Sequence, residues 1–135
     1  MSTWRHPVSG VLVDTSVWID FFAGTSMPSL ETALAHGAVV LSPIVVAELV
    51  SGARLARDRA AIADLTTQLT LHDTPVDHWI RVGGLRRNMK AHGITVSTPD
   101  AHVAQCALDR RAVLLSRDAI FPKIARHSEL RVSRG

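Results

Sequence analysis

The chain has 135 residues, 47% of them apolar, a formal charge of only +3 and one cysteine. That length and apolar fraction suit a single globular domain spanning 1–135 and exclude a disordered tail. With Cys106 alone, neither an intramolecular disulfide nor a cysteine metal site is expected.

No apolar run reaches the length of a signal peptide or a membrane span, so a reducing, cytoplasmic setting is the expectation. Among the basic residues only Lys90 and Lys123 are not Arg. The planar guanidinium fork suits phosphate, although an Ala-, Val- and Arg-rich chain is also what genome composition alone produces.

Residues 1–7 read as a loose lead-in. A strand is predicted over 9–13 and a helix over 16–23. Met27-Pro28-Ser29 punctuates the chain before a short helix over 30–36, which Gly37 stops, and a second strand follows over 38–41. Ser42-Pro43 is a helix start, Ser as cap and Pro in the first turn, for a helix carrying Glu48 to about 55. A helix over 59–69 and an extended piece over 70–73 come next. Thr74-Pro75 repeats the start signal for a long helix to about 90, closed by Gly93. Within it Gly83 and Gly84 each cost roughly 1 kcal/mol against Ala, which is expected to permit close helix packing. Thr98-Pro99 is a third start and puts Asp100 in the first turn of a helix ending near 109. A strand over 113–115, a short helix over 120–126 and a last strand over 130–132 complete the chain. Strands separated by helices predict an α/β fold: a mostly parallel central sheet with helices on both faces.

Ligands on such sheets bind at the carboxyl ends of the strands. Asp14 ends the apolar run Val11-Leu12-Val13 and Asp118 follows Val113-Leu114-Leu115, so both belong to that edge, with Glu48 and Asp100 arriving from helices. Singly, Asp14 also reads as a helix cap, Asp100 as a first-turn carboxylate favoured by the helix dipole, and Asp118 as a turn residue. Glu48 differs. Its neighbours at helical spacing are Ile44, Val45, Ser51 and Gly52, so a carboxylate with no solvated stripe around it is expected to be neutral, paired or coordinated. Four acids in one crevice repel one another unless a cation is present, and all-oxygen ligation points to Mg²⁺ or Mn²⁺ and to phosphodiester hydrolysis.

The order Val-Leu-Val-Asp14-Thr-Ser, then Val-Val-Ala-Glu48-Leu-Val-Ser-Gly, then Asp100-Ala-His-Val-Ala-Gln-Cys-Ala, then Leu-Leu-Ser-Arg-Asp118 resembles the PIN-domain nucleases. More narrowly it resembles the VapC ribonuclease toxins of type II toxin–antitoxin pairs. The resemblance runs from about Val11 to Val132 and rests on the four motifs in order rather than on any one of them. It implies a PIN-like domain in which Asp14, Glu48, Asp100 and Asp118 hold one or two Mg²⁺ or Mn²⁺ ions. It further implies cleavage of structured RNA, tRNA or rRNA, to 5′-phosphate and 3′-hydroxyl ends, a VapB-type antitoxin partner and a homodimer. His102 and Gln105 depart from the small or apolar residues common at those positions, and His102 is expected at the surface.

Ser16 and Ser116 are candidates for hydrogen bonds to the carboxylates, with ordinary turn and cap bonding as the other reading. Arg86 and Lys90 share a helix face and are candidate RNA contacts, as is Arg117 beside Asp118; Arg110 and Arg111 need only solvate a helix end. The histidines form no pair at metal-binding spacing on one helix, and Asp73, Asp77 and His78 read as helix-start chemistry around Pro75, so zinc is not expected. Three rivals remain. A catalytically silent interaction module would have no reason to retain the acids. A phosphoacceptor domain needs adjacent early acids and a late Lys, and a dehalogenase-like phosphatase wants Asp where Ser16 stands.

Overall fold

Short runs of Val and Leu, too brief for helices and rich in β-branched residues, form the middle of the sheet. In the computed structural model, which describes residues 10–134, these are β1 (Val11–Val13), β2 (Val39–Leu41) and β4 (Val113–Leu115). The expected lead-in and Ser9 lie outside the described residues. Two outer strands, β3 (Thr70–Leu71) and β5 (Arg131–Ser133), complete a five-stranded sheet of order β3-β2-β1-β4-β5, parallel throughout. Consecutive residues of β1 and β2 are buried alike, Leu12 with Val13 and Val39 with Val40 and Leu41, so both faces of the sheet are covered. The covering elements are α1 (Thr15–Phe22), α2 (Pro28–Ala35), α3 (Pro43–Gly52), α4 (Ala56–Gln68), α5 (Val76–Ala91), α6 (Thr98–Arg110) and α7 (Ile120–Ala125).

The strand order determines where a ligand can bind. From β1 the chain steps outward to β2 and β3, then returns past β1 to lay down β4 and β5 on the other side. The direction of winding therefore reverses between β1 and β4, and the crevice beyond their carboxyl ends is the switch point of the sheet. One bond extends the ladder into that crevice, from the Asp14 N–H to the Leu115 carbonyl (2.9 Å). At the opposite end, Gly10 holds φ +112° and a Cβ there would meet the Ala38 carbonyl oxygen at 2.7 Å, so the entry into β1 requires glycine.

Helix α6 is the central one. Ala101 through Ala107 are all buried, and it packs on α3, α5, α7, β1 and β4. Trp18 and Phe121 are fully buried beside the sheet residues, each worth about 1.5–3 kcal/mol of apolar transfer.

Several local expectations are corrected. Ser97, not Thr98, caps α6, accepting from the Asp100 N–H at 3.2 Å. Ser42 occupies the cap position of α3 but its hydroxyl is bonded to His102 Nε2 at 2.7 Å, and α5 is preceded by Pro75 with no side-chain cap. Gly83 and Gly84 permit no close approach, since a Cβ at either would meet nothing within 4 Å. His102 is wholly buried rather than at the surface, and burial, with His78 and His72 adding to it, lowers its pKa to about 4. A core helix surrounded on every side leaves its polar residues no route to water, so each must find a protein partner. His78 likewise belongs to this buried group, not to the helix-start chemistry of Asp77.

Candidate active site

The strand-to-helix turn after β1 places Asp14 at the switch point, where it is also the residue preceding α1. Its side chain is 9% exposed. Ser116, just beyond β4, donates to Asp14 Oδ2 at 2.8 Å, and Ser16 approaches the same oxygen at 3.4 Å. The Ser116 hydroxyl in turn accepts from the Asp118 N–H (3.1 Å), while Asp118 Oδ1 accepts from the Ile120 N–H (3.0 Å) at the start of α7. A single serine thereby links the ends of the two central strands. Asp100 arrives half-buried in the first turn of α6. Glu48 arrives from α3, with Oε1 accepting from Thr15 Oγ1 at 2.7 Å.

Glu48 is exposed, which corrects the expectation of an apolar surround. Ile44 and Val45 on the preceding turn are indeed apolar, but the carboxylate reaches α1, where Thr15 meets it.

The electrostatics tie these acids together. Burial raises the Asp14 pKa above its ordinary 3.8; the Ser116 and Thr15 hydrogen bonds oppose this, and the charges of Glu48 and Asp118 raise it further. Burial also raises Asp100, with Ser97 opposing and the charges of Asp118 and Asp14 adding to the rise. The neighbouring charges thus make Asp14 and Asp100 harder to ionise. An all-oxygen donor set under that mutual repulsion fits a hard divalent cation such as Mg²⁺ or Mn²⁺.

Two hollows flank the acids. One, of about 330 Å³, is lined by Ile19, Phe22, Leu49 and Ile62 with Glu48 and Arg57 at its wall. The other, of about 340 Å³, is lined by Ser116, Asp118, Pro122, Val132, Arg126 and Arg134. Arg126 and Arg134 escaped the sequence reading because neither sits in a motif; only the chain fold brings them beside Asp118. Thr15 was missed as well, though a hydroxyl directly after a strand-end acid is a signal of the same kind as Ser16.

The other basic candidates are placed less directly. Arg117 Nη1 pairs with Asp20 of α1 at 2.6 Å, and its Nη2 lies 3.3 Å from Met27 Sδ. Arg86 Nε donates to the Val96 carbonyl (2.8 Å), and Arg86, Arg87 and Lys90 line a shallow hollow at the far part of α5. Arg111, in the left-handed conformation (φ 53°), ends α6, whereas Arg110 donates to His72 Nδ1 at 2.8 Å. No helix among the described residues is long and apolar enough to cross a membrane.

A family model for the PIN domain matches residues 11–127. The chain belongs to the PIN-domain family. Its fold is similar to that of VapBC2 from Rickettsia felis bound to a DNA fragment from their promoter, with a TM-score of 0.72 and 18% identity over 91% of this chain and 96% of that one. DNA-bound VapBC from Salmonella typhimurium gives a TM-score of 0.72 and 21% identity over 92% and 96%. A toxin–antitoxin complex from Klebsiella pneumoniae gives 0.64 and 22% over 81% and 87%. At such identities the likeness speaks for the fold. No curated protein matches the chain significantly.

Proposed function

We propose that this chain is a divalent-metal-dependent endoribonuclease of the VapC toxin type, cleaving structured cellular RNA (tRNA or rRNA) and neutralised by a VapB-type antitoxin. The observation that carries the reading is the convergence of Asp14, Asp100 and Asp118 at the switch point of the sheet, with Glu48 beside them, under mutual charge repulsion.

Asp14, Glu48, Asp100 and Asp118 would hold one or two Mg²⁺ or Mn²⁺ ions, which supply an activated water and charge stabilisation at phosphate when bound. Ser116 holds Asp14 in place and orients the Asp118 backbone, Ser16 supports the same carboxylate, and Thr15 fixes Glu48. Arg126 and Arg134 line the hollow next to Asp118 and suit the phosphates that flank the cut. Arg117 stands at the same edge, held by Asp20, a carboxylate that a phosphate oxygen would replace. Arg86 and Lys90 are proposed as more distant contacts to the RNA backbone.

The hollow lined by Ile19, Phe22, Leu49 and Ile62 suits an apolar antitoxin segment, with a basic side chain directed at Glu48 and Asp14. A homodimer is part of the proposal; Val76 and Ile80 are strongly exposed and one helical turn apart on α5.

The test is cleavage of total cellular RNA by purified, antitoxin-free protein, with 5′-phosphate ends mapped by sequencing, in Mg²⁺, in Mn²⁺ and in chelator. Discrete metal-dependent cuts that disappear in folded Asp14→Asn and Asp100→Asn are expected. Folded protein that cuts nothing across metals and RNA pools would instead identify a catalytically silent PIN-fold module acting through its partner.

A further inference from the structure

Away from the acidic edge, a second polar group is buried between β3, α5 and α6. His72 follows β3, His78 lies in the first turn of α5, and His102 and Cys106 are one turn apart on α6. All four are buried, His72 the least at 8% exposed. His78 Nε2 and His102 Nδ1 face each other at 2.7 Å, and Cys106 Sγ lies 3.5 and 3.9 Å from the two His102 nitrogens. One nitrogen each from His72 and His78, together with the Cys106 sulfur, lie within 4.8 Å of one another.

A purely hydrogen-bonded core explains part of this. His102 Nε2 meets Ser42 Oγ at 2.7 Å, and His78 Nδ1 meets Asp109 Oδ2 at 3.3 Å. It does not explain why a thiol and three imidazoles from three separate elements are gathered in one place. The outward partners also follow the pattern of a metal centre. A ligating imidazole usually gives its other N–H to a carboxylate or another acceptor. His78 does so to Asp109, which Arg81 (2.9 and 3.0 Å) and Gln105 (2.8 Å) hold in turn.

We infer that His72, His78 and Cys106 form a buried site for one Zn²⁺ ion, with water as the fourth ligand. Imidazole nitrogen and thiolate sulfur are the donors zinc takes, in contrast to the all-oxygen edge that suits Mg²⁺. Zinc bonds of about 2.0–2.3 Å set tetrahedral donors roughly 3.3–3.8 Å apart, so atoms now within 4.8 Å of one another must draw in by about 1.5 Å at most, within reach of side-chain rotation. Ligation through His72 Nδ1 displaces the Arg110 guanidinium, which lies in the last turn of α6 and is partly exposed. Burial pushes the Cys106 thiol up to about 12 in the metal-free chain; on binding, the S–H bond breaks, the sulfur bonds zinc and the proton leaves to solvent. The ion would join β3, α5 and α6, and so clamp the helix that carries Asp100. Sequence reasoning passed over the site because it looked for paired histidines on one helix and discounted a single cysteine.

The test uses the full chain under reductant, stripped with chelator, in the Asp14→Asn/Asp100→Asn background so that the carboxylates contribute little. Co²⁺ is the probe and Zn²⁺ the competitor. One Co²⁺ per chain with a thiolate-to-cobalt charge-transfer band is expected, displaced by one equivalent of Zn²⁺. At a hundredfold excess of Zn²⁺ over Kd the Tm should rise by about 10 °C. Cys106→Ser should lose the band, and His72→Asn, at the better-exposed corner, should bind at least tenfold more weakly while keeping the near-ultraviolet circular dichroism of the parent. Absence of the band in folded parent protein overturns the inference. So does a Tm rise that is equal in parent, Cys106→Ser and His72→Asn. Rescue of RNA cleavage by Mg²⁺ or Mn²⁺ alone in the zinc-stripped, otherwise wild-type chain bears on the carboxylate reading alone, which keeps the two failures distinguishable.

Discussion

Helix α6 serves two polar centres that obey opposite rules. Asp100 projects from its first turn to the edge of the sheet, whereas His102, Cys106 and Asp109 lie about 180–240° round the helix from it at 100° per residue. On the Asp100 side, like charges accumulate at an open edge, and burial and mutual repulsion raise Asp14 and Asp100 above 3.8. On the other side the groups are buried and charge is avoided: His102 is lowered to about 4 and Cys106 raised to about 12, so both are neutral at pH 7. Asp109, a carboxylate there, is answered by Arg81, Gln105 and His78. Uncompensated charge of one sign costs stability and is what a cation-binding catalyst needs. Compensated polarity costs little and organises the core.

Asp14→Asn should separate the two centres most sharply. With the proposed cation site broken, kcat/KM on RNA is expected to fall by about 10³-fold, the equivalent of the several kcal/mol that a divalent ion supplies. Stability should move the other way. Because the Asp14 pKa is raised on folding, the folded chain holds its proton longer than the unfolded one. The carboxylate therefore costs stability as pH rises from 3.8 through the folded value, and the cost is fully present above it. The variant should show a higher Tm at pH 7 in chelator and a flatter dependence of stability on pH. A lower Tm would mean that Asp14 is structural and the comparison fails.

Asp109→Ala is the matching break on the other side. It leaves His78 Nδ1, Arg81 and Gln105 without their acceptor, at a cost of about 1–3 kcal/mol in denaturant unfolding. Burial works against the Asp109 charge, but the hydrogen bonds from Arg81, Gln105 and His78 outweigh it and hold the pKa below 3.8. Its stabilisation is therefore present above 3.8 and lost as pH falls through the lower folded value. Parent and variant should converge in stability at the acid end of that window. A constant gap down to the lowest pH would show that packing, not the carboxylate, is what was removed.

Ser116→Ala should cost about tenfold in kcat/KM, within the range seen when a ligand's supporting hydrogen bond is lost. The serine is 1% exposed and bridges Asp14 to the Asp118 backbone, so no water replaces it easily.

How much of this was legible in the sequence depends on how far the determining contacts reach. Asp14 and Asp118 could be placed because a strand followed by an acid encodes its own position at the sheet edge. Asp100 could be placed because a Pro-marked helix start is local. For Glu48 the helix was legible and the surroundings were not. Spacing along α3 reports which neighbours share a face, but not that the face ends at an open edge opposite Thr15. His102 fails for a related reason. Its partners Ser42 and His78 lie 60 and 24 residues away, and a helix buried on all sides shows no amphipathic stripe from which to infer burial. Arg117 meets Asp20 across 97 residues, and Gly83 and Gly84 face open space that no local pattern records. Periodicity determines elements and their internal faces; the partners of polar side chains come from topology.

Thr15→Val tests whether burial is what gives the edge its hierarchy. Its hydroxyl donates to Glu48 Oε1 at 2.7 Å, a bond of nearly the same length as Ser116 to Asp14 at 2.8 Å. Bond length therefore predicts equal effects. Burial predicts otherwise, because water can take the place of a lost donor at exposed Glu48 and cannot at Asp14. The expected loss is only two- to threefold in kcat/KM, about 0.5 kcal/mol, with no resolvable change in Tm. A loss as large as that of Ser116→Ala would show that the orientation of Glu48, rather than the burial of Asp14, limits the site. Glu48 would then be the acid whose placement the fold controls most tightly, despite being exposed.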